Sequence, residues 1–103
     1  MFAEFDAVVC PITSVPAFPH DHNPDRGARR LDIDGVEHPY VDQPVWAGLA
    51  TMPGLPATAI PTGLSREGLP VGVQLIGPMF EDRTPLRLAE LLEQAVGGFQ
   101  APR

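Results

Sequence analysis

Apolar residues along this chain fall in short runs cut by proline and glycine. The densest region is PGLPATAIPTGLSREGLPVGVQLIGP, residues 53–78. Its two runs, Ala57–Ile60 and Val71–Ile76, are bounded by such breakers and predict two strands. Gly63 and Gly68 flank Leu64–Glu67, so the chain is expected to reverse there. Pro61 and Pro70 are expected at strand ends, where a missing N–H removes no ladder bond. In the second run, Val71, Val73 and Leu75 alternate with Gly72, Gln74 and Ile76. Apolar residues on both faces predict an interior strand covered on each side.

The remaining elements follow the same logic. Phe5–Cys10 is a short apolar run stopped by Pro11 and predicts a buried strand. Met1–Glu4 suits the last turn of a helix equally well. Pro11–Asp25, with four prolines, predicts a loop. Arg29–Ile33 and Val36–His38 flank Asp34-Gly35, a strong hairpin signal because both turn positions tolerate positive φ. A small hairpin excursion over 29–39 is expected. In Asp42–Met52, the apolar residues Val45, Trp46, Leu49 and Met52 form one helical stripe, with Asp42 as N-cap and Pro44 in the first turn. The last helix is predicted over Thr84–Val96, with Thr84 as cap, Pro85 at the first helical position and Gly97-Gly98 closing it. Leu88, Leu91, Leu92, Ala95 and Phe99 fall on one face and Arg87, Glu90 and Gln94 on the other. That face needs a sheet. The predicted fold class is α/β, a mixed sheet flanked by helices, in one domain covering 1–103.

Composition narrows the functional classes. A hydrophobic fraction of 44% is ordinary for a folded domain, and no apolar run approaches the ~18 residues of a membrane span. The opening MFAEFDAVVC carries acids where a secretion signal needs basic residues, so a soluble, cytoplasmic protein is expected. The net charge is −6 and every basic residue is arginine. That balance argues against a nucleic-acid footprint and against attraction to an anionic membrane. Thirteen prolines and ten glycines lie between the apolar runs, which indicates a loop-rich folded chain. The lone Cys10 cannot form an internal disulfide and fits a reducing compartment.

Few residues could carry chemistry. His20, Asp21, His22 and Asp25 are metal-ligand types, but they lie in one loop without a second ligand pair. A solvated loop is expected, with no metal and no cofactor. Cys10 within an apolar run suits packing better than nucleophilic work. Ser14 and Ser65 are the chain's serines, and neither sits in a Gly-x-Ser-x-Gly setting. Ser65 reads as turn chemistry and Ser14 as the edge of a cleft. Trp46 suits a core anchor or a pocket wall. Gln74, inside a buried strand, must satisfy its amide on neighbouring backbone or on a segment supplied from elsewhere.

The strings GLPATAIPTG and GLPVGVQLIGP, followed by an acidic helix start, resemble the C-terminal end of amidase-signature hydrolases. FDAVVCPITSVPA resembles the segment that precedes it in those enzymes. The resemblance implies the C-terminal portion of a large α/β/α sandwich, incomplete on its own. It also implies hydrolysis of carboxamides by a serine nucleophile, a second serine in cis peptide linkage and a lysine base, all lying upstream of the matched part. This chain has no lysine, so it is expected to be inactive alone and to contain no catalytic residue. On the same resemblance Ile12, Thr13 and Trp46 are expected to line the substrate pocket. The expected partner is the N-terminal remainder of an amidase or a complementary chain, with a small amide substrate only in the complete enzyme. Open sheet edges also offer a route to homo-oligomers. The alternative is a stand-alone, non-catalytic α/β binding module.

Overall fold

The computed structural model describes residues 1–101. The element that positions everything else is β5 (Pro70–Ile76), the central strand of a three-stranded sheet. On one side lies β1 (Val8–Pro11), paired Val8 to Ile76 and Cys10 to Gln74. On the other lies β4 (Ala57–Leu64), paired Ala57 to Ile76 and Ile60 to Val73. Both ladders are antiparallel. The fold class is α/β as expected, but the sheet is not mixed among the described residues. The tight β4–β5 connection forces opposite strand directions.

The two faces of β5 receive different helices. Residues opposite one another in a ladder share a face, so Cys10, Gln74 and Ile76 look the same way. Against them packs α1 (Val45–Thr51) through Ala50 and Trp46. The other face carries Leu75, which is wholly buried, and Ile60. There α2 (Arg83–Val96) begins, with Pro85 set against Gly77. A β-carbon on Gly77 would stand 2.6 Å from Pro85 Cδ, a ring that cannot swing aside. Gly77→Ala is therefore expected to lower stability by about 1–3 kcal/mol, read as an earlier urea midpoint followed through Trp46 emission.

Several boundaries differ from expectation. Phe5–Ala7 lies outside β1, whose last residue is Pro11. Ahead of it, Phe5 N–H donates to Met1 C=O at 3.2 Å, so the N-terminal residues do make a helix-like turn. Pro61 lies inside β4, not at its end. Gly77 N–H donates to Pro56 C=O at 2.9 Å. Alternation along the ladder then puts Pro61, opposite Gly72, in a non-bonded pair, and its missing N–H faces the outer edge. The register shifts between Pro61 and Gly63, leaving Thr62 as a bulge. Ser65 closes the turn as expected, its Oγ accepting from Glu67 N–H and Leu69 N–H.

The hairpin forms as expected from β2 (Arg30–Ile33) and β3 (Val36–Pro39). Asp34 and Gly35 both have positive φ, 54° and 80°, the mirror-image turn that matches strand twist. Leu31 is its one buried apolar residue. Arg29 lies over the Tyr40 ring, and Phe18 meets that ring edge-on, tying the hairpin to the loop after β1.

The helices are the main corrections. Asp42 does not cap α1; it ends a 3-10 turn at Tyr40–Asp42, and the helix starts at Val45 after Pro44. Two turns bury only one side, here Trp46 and Ala50. Val45, Leu49 and Met52 of the expected stripe point outward, Met52 90% exposed. Helix α2 starts one residue before Thr84, whose hydroxyl instead donates to Glu81 Oε2 at 3.2 Å. Its end is as expected, Gly97 N–H donating to Glu93 C=O. Leu88 and Leu92 are half-buried, whereas Leu91 and Phe99 are exposed. The three-stranded sheet is too narrow to cover the whole apolar face. No helix among the described residues is long and apolar enough to cross a membrane.

Candidate functional site

Where β1 ends, the chain turns away from the sheet and runs as a loop that bends throughout Ile12–Ala17. Pro11, opposite Val73, is the last paired residue of β1. The loop faces the start of β5 and the β4 bulge, and the space between them is a groove of about 470 Å³. Ile12, Thr13 and Ser14 form one wall; Thr62, Val71 and Gly72 form the other. Gly72 is required in this floor. A β-carbon there would stand 2.6 Å from Ile60 O and 3.6 Å from Ile12 Cδ1.

The groove is apolar with hydroxyls at its margin. Thr13 Oγ1 donates to Val15 C=O at 2.8 Å, and Thr62 Oγ1 to Val71 C=O at 3.3 Å. No titratable side chain lines it. A serine nucleophile needs a base within hydrogen-bond reach, and Ser14 meets none within this groove. Ser14 also borders two neighbouring grooves, which hold His20, His22 and His38. The arrangement can seat a small uncharged group and orient it. It cannot by itself move a proton.

Of the residues singled out in the sequence, Ile12 and Thr13 are brought together in this wall. Trp46 is placed elsewhere, half-buried against Cys10, Ala50 and Ile76. Its backbone does contribute: Gln74 Nε2 donates to Trp46 C=O at 2.8 Å and to Pro11 C=O at 2.9 Å. Gln74 is thus satisfied on neighbouring backbone from two distant segments. Cys10 packs in the core. Around His20–Asp25 the carboxylates serve the loop itself. Asp21 Oδ1 accepts from Asn23 N–H, and Asp25 Oδ1 from Gly27 N–H, capping a 3-10 turn at Arg26–Ala28. The imidazoles of His20 and His22 meet edge to face at 5.8 Å. Among the described residues no group of three or more His, Cys, Asp or Glu could hold a metal ion.

The groove's second wall was not anticipated. Thr62 enters it only because β4 bulges there, and the nearby signal was the closeness of Pro61 and Gly63.

The sequence that builds this groove and the β4–β5 pair beside it is similar to that of known proteins. The family model described as Amidase matches residues 1–86. The chain belongs to the amidase family. The glutamyl-tRNA(Gln) amidotransferase A-subunit of Xanthobacter autotrophicus is 44% identical over 94 residues, 91% of this chain and 17% of that protein. Its counterpart from an Exiguobacterium strain is 37% identical over 103 residues, all of this chain and 19% of its own length. That of Bartonella bacilliformis is 35% identical over 98 residues, or 95% and 18%. This amidase-family chain thus spans less than a fifth of the length of the curated relatives it matches. The matched residues include β1, the groove loop, the hairpin, α1, β4, β5 and the start of α2.

Proposed function

We propose that these residues are the C-terminal part of an amidase-signature hydrolase, completing a larger α/β/α sandwich in the cytoplasm. The complete protein hydrolyses a carboxamide: water adds at the carbonyl carbon, the C–N bond breaks, and a carboxylate and ammonia or an amine leave. The groove behind Ile12 and Thr13 forms part of the wall that receives the acyl group. The serine nucleophile, the cis-linked serine and the lysine base of this family are supplied by residues outside this chain, which holds no lysine.

One observation carries the proposal. Helix α1 is packed on its inner side through Trp46 and Ala50, yet its outer side presents Val45, Leu49 and Met52 to solvent. A helix apolar all round belongs in an interior, so a further layer is expected over α1. The alternative, a stand-alone binding module, draws support from the closed polar accounting of the small core. Among the described residues no buried side-chain nitrogen or oxygen lacks a partner.

A chimera separates the two. Residues 1–103 replace the matched segment of the Xanthobacter autotrophicus relative, and ammonia release is measured across a panel of small carboxamides. Turnover within about tenfold of the parent is expected, since one order of magnitude corresponds to about 1.4 kcal/mol of misfit. A folded chimera without turnover on any carboxamide contradicts the proposal.

A further inference from the structure

We propose that Gln74 is a positioning residue of the acyl-binding groove, holding its loop at a fixed distance from α1. The inference rests on the functional proposal above and adds to it a residue with no assigned role. Gln74 is the only buried polar side chain of the described core, 6% exposed in the middle of the central strand. An apolar residue at that position would pack as well and would carry no donor. What the amide adds is two directed bonds from one nitrogen. Nε2 donates to Pro11 C=O, 63 residues away in sequence, and to Trp46 C=O, 28 residues away.

These two acceptors are placed where position matters. Pro11 is the last residue of β1 and the root of the loop that carries Ile12 and Thr13. Being proline, it has no N–H with which to anchor itself to a neighbour. Beyond it, the hydrogen bond made by Thr13 Oγ1 is local to the loop. Trp46 lies in the first turn of α1, the helix that packs on the same sheet face as Gln74. A single planar amide therefore fixes the root of the groove loop relative to the neighbouring helix. Gly72, two residues before Gln74 on the same face, is the groove floor. Floor and clamp are consecutive inward positions of one strand, so the clamp cannot shift without the floor.

The test uses the chimera described above with Gln74→Met, which keeps length and apolar bulk and removes both donors. Positioning predicts a rise in KM of about tenfold with kcat within about threefold, the scale of one to two net hydrogen bonds. A purely structural role would reduce the folded fraction, lowering apparent kcat at unchanged KM, and that outcome overturns the inference while leaving the functional proposal intact. If Gln74→Met does not fold, Gln74→Asn is measured instead. It keeps the donor amide one methylene shorter, and an intermediate rise in KM is expected; unchanged KM overturns the inference. A parent chimera without turnover overturns the functional proposal and this inference with it.

Discussion

Replacing Leu75 with alanine is expected to unfold most of the chain. Leu75 is 0% exposed, next to the last residue of the central strand and on the face that α2 covers. Removing it costs about 2–5 kcal/mol, the transfer term plus the cavity left behind. The neighbours that could collapse into that space are held by other constraints. Pro85 is wedged against Gly77, and Ile60 is pinned by its ladder to Val73. Single domains have roughly 5–15 kcal/mol in total, and one this small lies at the low end. Urea unfolding followed through Trp46, the lone tryptophan, should show a midpoint shifted to near zero denaturant. A variant within about 1 kcal/mol of the parent, well below the range for large-to-small core changes, would mean that the α2 face is not packed as described.

The second large effect concerns chemistry. The chain by itself is expected to hydrolyse no amide by a serine mechanism. Ser65 is spent on its turn, where its hydroxyl donates to Glu67 Oε2 and accepts from two backbone amides. Ser14 lines a groove that contains no titratable side chain. Nucleophile activation needs a base in hydrogen-bond contact, held in turn by a third group. Of the histidines in the grooves bordering Ser14, His20 and His22 belong to a loop whose own carboxylates are engaged with backbone N–H groups, and His38 lies in β3. An assay of an aryl amide with the chain alone should match the buffer blank, and Ser14→Ala should change nothing.

Much of the fold was legible from local chemistry, and the failures share a cause. Asp34-Gly35 predicted its hairpin because a two-residue mirror turn depends on backbone freedom at those residues alone. Ala57–Ile60, Val71–Ile76 and the Gly97 stop likewise followed from breakers and periodicity. The face of α1 did not. Val45, Trp46, Leu49 and Met52 make a convincing stripe, but which part of it turns inward depends on where Cys10 and Ile76 sit, set by pairing across more than sixty residues. The bulge at Thr62 is of the same kind, since it exists only relative to Val71 and Gly72. Of the candidate site, Ile12 and Thr13 were reached through family resemblance and do share a wall. Thr62 and Gly72 were invisible because a groove is a relation between segments. Gln74 lay between the two: a buried amide announces that it needs partners, but not which ones.

The central claim is that this chain is one part of an amidase and that its exposed apolar side is a seat for the rest. It is tested most directly by supplying the remaining portion of an amidase-family relative, the Xanthobacter autotrophicus protein without its matched segment, as a separate polypeptide. Carboxamide turnover should appear on mixing, with neither part active alone. Replacing Val45, Leu49 and Met52 together by glutamine should abolish it by spoiling the surface that the other part covers. Turnover by the 103-residue chain alone, lost on Ser14→Ala, would contradict the claim, because it would put a working serine nucleophile in the loop after β1.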